Sequence, residues 1–106
     1  MKAIKQYNEL TEKIKKYLPL KALPVRELVN VYRNNGKDIT LKTELIIKEV
    51  HNSGNLSGIM CVIKVDKNVF ACGLTHLIFS PKIPLYKEII KYQKNREKRM
   101  RNINAI

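Results

Sequence analysis

The hydrophobic pattern is densest between Gly58 and Phe79, in a nearly uncharged run rich in β-branched and aromatic residues. A single polar break, Asp66-Lys67-Asn68, divides this run into two segments. Two such segments separated by a turn signal are typical of paired antiparallel strands. The pattern therefore predicts a central β-hairpin around which the core of the fold forms.

A two-residue loop at Asp66 and Lys67 sets a register in which Cys61 lies opposite Cys72. Both thiols then lie on one apolar face, because every second side chain of a strand shares a side of the sheet. A three-residue loop would shift the register by one and mix the two faces, so we favour the first register. The N-terminal residues lack the apolar core of a secretory signal, which favours two free, buried thiols over a disulfide.

Apolar residues recur at alternating spacings of four and three between Lys2 and Leu18, which predicts an amphipathic helix that Pro19 ends. The stripe consists of Ala3, Tyr7, Leu10, Ile14 and Tyr17. We expect it to pack on the sheet. The alternative is a seam between two copies of the chain, which would make the protein a homodimer.

Residues 19–24 are predicted to be a short extended connector, because proline stands at both ends. Residues 25–33 allow two interpretations. Proline before this segment favours a helix start, whereas its valines prefer a strand. Asn35-Gly36 is typical of a tight hairpin turn, and it favours a strand here that pairs with the next segment. The sequence leaves the choice between strand and helix open.

The segment from Asp38 to Val50 alternates apolar and polar residues, which predicts a long half-buried strand with a bulge or bend. Residues 51–58 contain two glycines among small polar residues and are predicted to form a mobile surface loop.

The last predicted helix runs from Leu85 to about Ile103. Its apolar row ends at Tyr92, with Arg96 as the next residue in the row, while the helical propensity continues. We interpret residues 91–106 as a basic helical extension, docked by the first two turns of the helix and projecting into solvent. Against a single acid, Glu97, it carries Lys91, Lys94, Arg96, Lys98, Arg99 and Arg101.

These elements predict a single α+β domain over residues 1–106. An N-terminal helix precedes a four-stranded, mainly antiparallel sheet in meander order, and a C-terminal helix with the basic extension follows. The alternative is a sheet curled into a small OB-like barrel, in which the second strand pairs with residues 77–79.

Charge and composition bear on function. The chain has 21 basic and 9 acidic residues and a net charge of +12, and such a surface attracts polyanions. No apolar run is long enough to span a membrane, so we expect an intracellular protein, cytoplasmic or in the nucleoid or nucleus. Two isolated histidines and scattered acids form no zinc-ligand set and no acid–base pair. We therefore expect neither an enzyme nor a metal or cofactor.

The prediction is a non-enzymatic protein that binds single-stranded DNA or RNA by backbone electrostatics, with aromatic stacking as a further contribution, or a small ribonucleoprotein subunit. The sequence does not choose between DNA and RNA. Predicted contact residues are Lys91, Lys94, Arg96, Lys98, Arg99, Arg101, Tyr32, Arg33 and Lys37, with Phe70 and Phe79 as further stacking candidates. The alternative is a protein-interaction module or regulator of an acidic partner that dimerises through its N-terminal helix.

Overall fold

The computed structural model describes the backbone of residues 2–104 and the side chains of residues 5–54 and 56–99. Within this part of the chain, five strands form one antiparallel sheet. They are β1 (Leu20–Pro24), β2 (Leu45–Asn52), β3 (Ile59–Val65), β4 (Asn68–Gly73) and β5 (Leu77–Ile78). Their order is β4-β3-β2-β1-β5, so β4 and β5 lie at opposite edges. The α+β class is confirmed, and the barrel alternative is wrong because the sheet does not close.

The helices are α1 (Lys2–Lys15), α2 (Arg26–Asn34), the single turn α3 (Gly54–Ser57) and α4 (Tyr86–Asn104), with a 3-10 turn at Leu74–His76. Buried side chains of α1, α2 and α4 form one hydrophobic core with the inner face of the sheet. The other face lies open to solvent, and Val69 and Ile78 on it are more than half exposed. The fold therefore has two layers, with helices on one side of the sheet.

The predicted hairpin and its register are confirmed. Cys61 pairs with Cys72, Ile63 with Phe70, and the two-residue turn lies where expected. Cys61 and Ile63 are fully buried, so the face predicted to form the core does so. Both cysteines are free thiols, as expected.

Residues 26–34 form the helix α2, so a strand over residues 25–33 is the wrong one of the two interpretations. Leu28, Val29 and Tyr32 face the core, while Val31 is 53% exposed. Together with Val25, the buried residues recur at intervals of three, one and three, which is the spacing of one helix face. Burial of that face outweighs the strand preference of the individual valines.

Asn35 and Gly36 end α2 instead of turning a hairpin. Gly36 has a φ of +79°. Its N–H donates to the Arg33 carbonyl at 3.0 Å, and the Lys37 N–H donates to the Tyr32 carbonyl at 2.9 Å. This pair of bonds is the Schellman motif of a helix C-terminus. Hairpin turns and helix ends both need a left-handed residue, so the same dipeptide serves either.

Replacement of Gly36 by alanine is expected to lower the free energy of unfolding by about 1 kcal/mol, because an alanine there is held in the left-handed region. A Cβ at this position meets nothing within 4 Å, so backbone strain is the whole effect. Urea unfolding followed by circular dichroism measures it. Asn34→Ala, at an exposed position of the same helix end, is the control, and equal stability of the two variants would contradict the assignment.

The first strand of the sheet lies in the segment predicted to be a connector. In β1, Leu20, Ala22 and Pro24 are buried and alternate with exposed residues. The strand pairs with β2 on one side and with β5 on the other. The prediction of a connector is therefore wrong. The strand tolerates Pro24 because a proline at the last strand position removes only one N–H donor from the hydrogen-bond ladder. Residues 77–78 consequently pair with β1, not with the second strand.

β2 begins at Leu45, seven residues later than predicted. Its register against β3 shifts between Ile47 and Glu49, which confirms the predicted bulge. The strands β1 to β4 are neighbours in sequence order, as a meander requires, and β5 is a fifth strand that returns beside β1.

Candidate nucleic-acid interface

One row of side chains anchors α4 to the rest of the molecule. Leu85, Ile89, Tyr92 and Arg96 follow each other at intervals of four, three and four residues. Ile89 is fully buried, and Tyr92 and Arg96 are only 7% and 6% exposed. The helix is therefore held for three turns. The prediction that anchoring stops after two turns is wrong, since the row continues through a charged residue.

Arg96 joins three elements inside the molecule. One guanidinium nitrogen donates to the Tyr7 hydroxyl of α1 at 3.3 Å, and the other donates to the Leu56 carbonyl of α3. The guanidinium carbon lies 5.8 Å from the centre of the Tyr7 ring. Arg96 was predicted to contact nucleic acid. Its charge instead faces the interior, so it is not part of the candidate interface.

Gly58 and Tyr92 complete this buried cluster. The Ile59 N–H donates to the Tyr92 hydroxyl at 2.8 Å, and the Tyr92 ring meets Tyr7 edge to face, with centroids 5.2 Å apart. Burial raises the pKa of the Tyr92 hydroxyl. The Ser53 N–H donates to the Gly58 carbonyl at 2.8 Å. The predicted mobile loop is thus closed on itself and held against α4.

The outer side of α4 carries lysines. At 100° per residue, Lys87, Lys91, Lys94 and Lys98 fall within a sector of about 60°, opposite the anchored row. All four side chains are exposed. We call these four residues the basic stripe. Arg101 continues the spacing, but its side chain lies outside the described residues.

The sequence prediction counted basic residues from Lys91 onward and therefore missed Lys87. Its helical position, four residues before Lys91 on the same face, was the signal that could have found it. Arg99 lies on the flank of α4, about 80° from Lys91 on the helical wheel, and is partly buried. It borders the stripe without continuing it.

Acidic side chains leave the basic stripe unpaired. Glu88 lies 3.5 Å from Lys13 of α1, and Glu44 lies 3.4 Å from Lys21 of β1. Among the described side chains, none forms an ion pair with the stripe. Glu97 lies about 60° from Lys94 on the helical wheel and forms no ion pair with it. The four ammonium groups consequently face solvent and are available to an external anion.

A shallow groove runs beside the stripe. It has a volume of about 330 Å³. Its lining residues are Tyr86, Lys87, Ile90, Lys91, Lys94 and Asn95. The groove therefore combines an apolar wall, made by a tyrosine and an isoleucine, with three of the four lysines of the stripe.

Comparison of the chain with protein-family models, with curated proteins and with solved structures gives no match.

Tyr32, which was predicted to contact nucleic acid, is buried. It is only 8% exposed, and its hydroxyl donates to the Ala71 carbonyl at 3.3 Å. Its ring lies 4.8 Å from that of Phe70, and the Lys37 ammonium lies 5.2 Å from the same ring. Phe70 is thus partly buried by its neighbours, and the Tyr32 ring is buried away from any ligand.

The structure does not bring Arg33 and Lys37 together with the basic stripe. Lys37 lies over Phe70, which pairs with Ile63. Ile63 is four residues along β3 from Ile59, the residue that binds α4, so the two regions are about 13 Å apart along the strand. Arg33 is exposed at the end of α2 and lies with Lys37. The predicted contact residues therefore fall into two separate groups.

The open face of the sheet is aliphatic and basic. One row across it consists of Lys21, Ile46, Lys64 and Val69, as the strand register shows. All its outward-facing positions are described, and none is a phenylalanine or tyrosine. Phe79, a further stacking candidate, is 5% exposed. The sheet thus lacks the aromatic platform on which sheet-based proteins stack bases.

The cysteine pair lies in the core and is a poor nucleophile. Burial raises the pKa of the Cys61 thiol well above its usual range. Burial also raises the pKa of Cys72 to about 11, although the Tyr32 hydroxyl opposes part of that effect by a hydrogen bond. Because the thiolate is the reactive form, neither residue is suited to nucleophilic catalysis at neutral pH.

In the folded protein at about pH 8, both thiols are expected to react slowly with an aromatic disulfide reagent, and quickly in urea. Equally fast reaction in folded and unfolded protein would contradict this prediction.

The raised pKa values of the two thiols also make stability depend on pH. The folded state holds these protons more tightly, so the stabilisation is complete below the unfolded pKa of about 9 and is lost as pH rises above it. Urea midpoints measured between about pH 7 and pH 11 test this. A urea midpoint that does not fall above about pH 9 would contradict this dependence.

Among the described residues, no group of three or more histidine, cysteine or acidic side chains could hold a metal ion. Likewise, none of the described helices has the length and apolar character that crossing a membrane requires.

Proposed function

We propose that the protein binds nucleic acid without catalysing a reaction, through contacts between the basic stripe of α4 and the phosphate backbone. The observation that carries this proposal is the placement of the four lysines. They are exposed, unpaired and aligned on one helix face, from Lys87 to Lys98. At 1.5 Å per residue the stripe is about 16 Å long. A row of cations on this scale matches a linear polyanion better than a single small anion.

The anchoring of α4 supports the same proposal. Arg96 and Tyr92 fix the helix against α1, α3 and the first residue of β3, so the four lysines share one rigid support. Contacts with successive phosphates release condensed counterions, and this release favours binding whatever the base sequence. Lysine is a point charge without the planar fork that pairs with base edges. We therefore expect binding that is largely independent of sequence.

Titration of labelled oligonucleotides against the protein at several salt concentrations tests the proposal. With four phosphate contacts, the logarithm of the association constant should fall linearly with the logarithm of salt, with a slope between about −3 and −4. Fluorescence anisotropy from about 50 to 300 mM KCl measures it. Absence of binding at the lowest salt, or binding insensitive to salt, would contradict the proposal.

The second candidate, a protein-interaction module, must use a different surface from the one that the sequence indicated. Tyr7, Leu10 and Ile14 of α1 are buried in the core of the same chain, so they are not available as a dimer seam. The observation that favours this candidate is the open sheet face, where Val69 and Ile78 are exposed among lysines. Such a face suits an acidic partner with apolar side chains. Failure of the protein to bind oligonucleotides at low salt would favour it.

A further inference from the structure

Tyr86 is the first residue of α4 and lies beside the basic stripe. Part of its ring packs against the core, and the remainder forms a wall of the groove together with Ile90. Lys87, Lys91 and Lys94 border the same groove. A partly exposed aromatic ring thus lies beside the groups proposed to bind phosphate.

The other aromatic rings are unavailable to a ligand at this site. Tyr7, Tyr32, Phe79 and Tyr92 are each 8% exposed or less. Phe70 is partly buried against Tyr32, with Lys37 over its ring, and does not line the groove. Tyr17 is 46% exposed but follows the end of α1 and is not part of the groove. Among the described residues, Tyr86 is therefore the aromatic side chain that lines the groove beside the basic stripe.

An apolar wall beside cations distinguishes between polyanions. A duplex hides the faces of its bases in the stack and presents mainly phosphates and groove edges. A polyanion without bases, such as a sulfated polysaccharide, would use the lysines alone. An unpaired strand presents bases and phosphates together, and aromatic side chains in single-strand sites stack those bases.

On this basis we infer that the interface takes single-stranded nucleic acid, with an unpaired base against Tyr86 and the adjoining phosphates on Lys87, Lys91 and Lys94. This inference rests on the proposed function and adds the class of ligand to it. The distance along α4 from Tyr86 to Lys94 is about 12 Å, so this part of the contact spans only a few nucleotides. The base contact therefore lies over the first turns of α4, and Lys98 continues the phosphate contacts beyond it.

The chain has no tryptophan, so a Tyr86→Trp variant carries a single indole reporter in the groove. Titration with oligo(dT) and oligo(dA) is expected to quench its fluorescence, because a base stacks on the ring. A duplex of equal length and heparin should bind at low salt without comparable quenching. A Tyr17→Trp variant, with the reporter outside the groove, is the control and should show no quenching.

Equal quenching by the duplex, or no quenching by bound single strands, would overturn the inference. Affinity gives a second readout. Tyr86→Ala should lower the affinity for oligo(dT) about tenfold and leave the salt slope unchanged, whereas Tyr86→Phe should bind as the wild type does. Circular dichroism confirms that each variant is folded.

If all the nucleic acids bind with the expected salt slope but Tyr86→Ala affects single strands and duplex equally, the single-strand inference is wrong and backbone binding stands. If the wild type binds neither form at low salt, the proposed function is itself wrong.

Discussion

Replacement of Gly58 by alanine is expected to lower the free energy of unfolding by about 3–5 kcal/mol, a large share of the stability of a small domain. Gly58 has a φ of +68° and a ψ of −147°, in a region that only glycine occupies readily. An added Cβ would collide with the Tyr92 hydroxyl and lie 3.1 Å from Nε of Arg96. Both side chains are held by their own hydrogen bonds, so neither can move aside cheaply.

Gly54→Ala is the matched control for this prediction. Gly54 also has a positive φ, of +92°, but a Cβ there meets nothing within 4 Å. Its replacement should cost about 1 kcal/mol, the backbone strain alone. Urea unfolding of both variants, with circular dichroism as the probe, measures the difference. Equal destabilisation would mean that the cluster around Arg96 is not tightly packed against Gly58.

The second large effect concerns binding. Replacement of all four lysines of the basic stripe by glutamine is expected to weaken oligonucleotide affinity about a thousandfold at about 0.1 M salt, because four phosphate contacts and their counterion release are lost. Glutamine is a good helix former, and the four positions are exposed, so α4 should remain folded. Anisotropy titrations at constant salt measure the loss.

A control variant that loses the same number of positive charges elsewhere distinguishes the loss of a specific binding site from a general loss of positive charge. Four exposed lysines of the open sheet face and its hairpin turn are replaced by glutamine in this control. They are Lys21, Lys48, Lys64 and Lys67. It carries the same net charge as the stripe variant, so a loss of general attraction affects both alike. We expect the control to lose less than about tenfold in affinity. Equal losses would show that binding follows total charge and has no preferred surface.

The sequence was most informative where two independent signals agreed. In the central hairpin, alternation of apolar residues and a two-residue polar turn require the same register, and the pairing of Cys61 with Cys72 follows from both. A shift by one residue would have set the core face of one strand opposite the solvent face of the other, so Cys61 and Cys72 would not both be buried as they are. Burial of one face therefore specified the register.

The sequence misled where one signal serves two structures. The dipeptide Asn35-Gly36 provides a left-handed residue, which a hairpin turn and a Schellman helix end use equally. The spacing of Val25, Leu28 and Tyr32 was the evidence for a helix. The intrinsic strand preference of valine is weak in free energy compared with the burial of a whole helix face, so the helical periodicity decides the structure of this segment.

The candidate site was only partly predictable. The sequence located the basic residues on the last helix, but it could not tell which of them face solvent. Arg96 stands in the apolar row and is buried because Tyr7 and the Leu56 carbonyl, distant in sequence, supply its partners. Lys87 precedes the run of charge and was overlooked for that reason. Tertiary contacts, which no local pattern encodes, decide both cases.

The salt dependence of single-strand binding, measured for the stripe variant and its charge-matched control, decides whether α4 binds the phosphate backbone. The slope of log affinity against log salt should flatten by about three units when the four lysines of α4 are replaced, and by less than one unit in the control. A stripe variant that keeps the slope of the wild type would contradict the claim that this face of α4 binds the phosphate backbone.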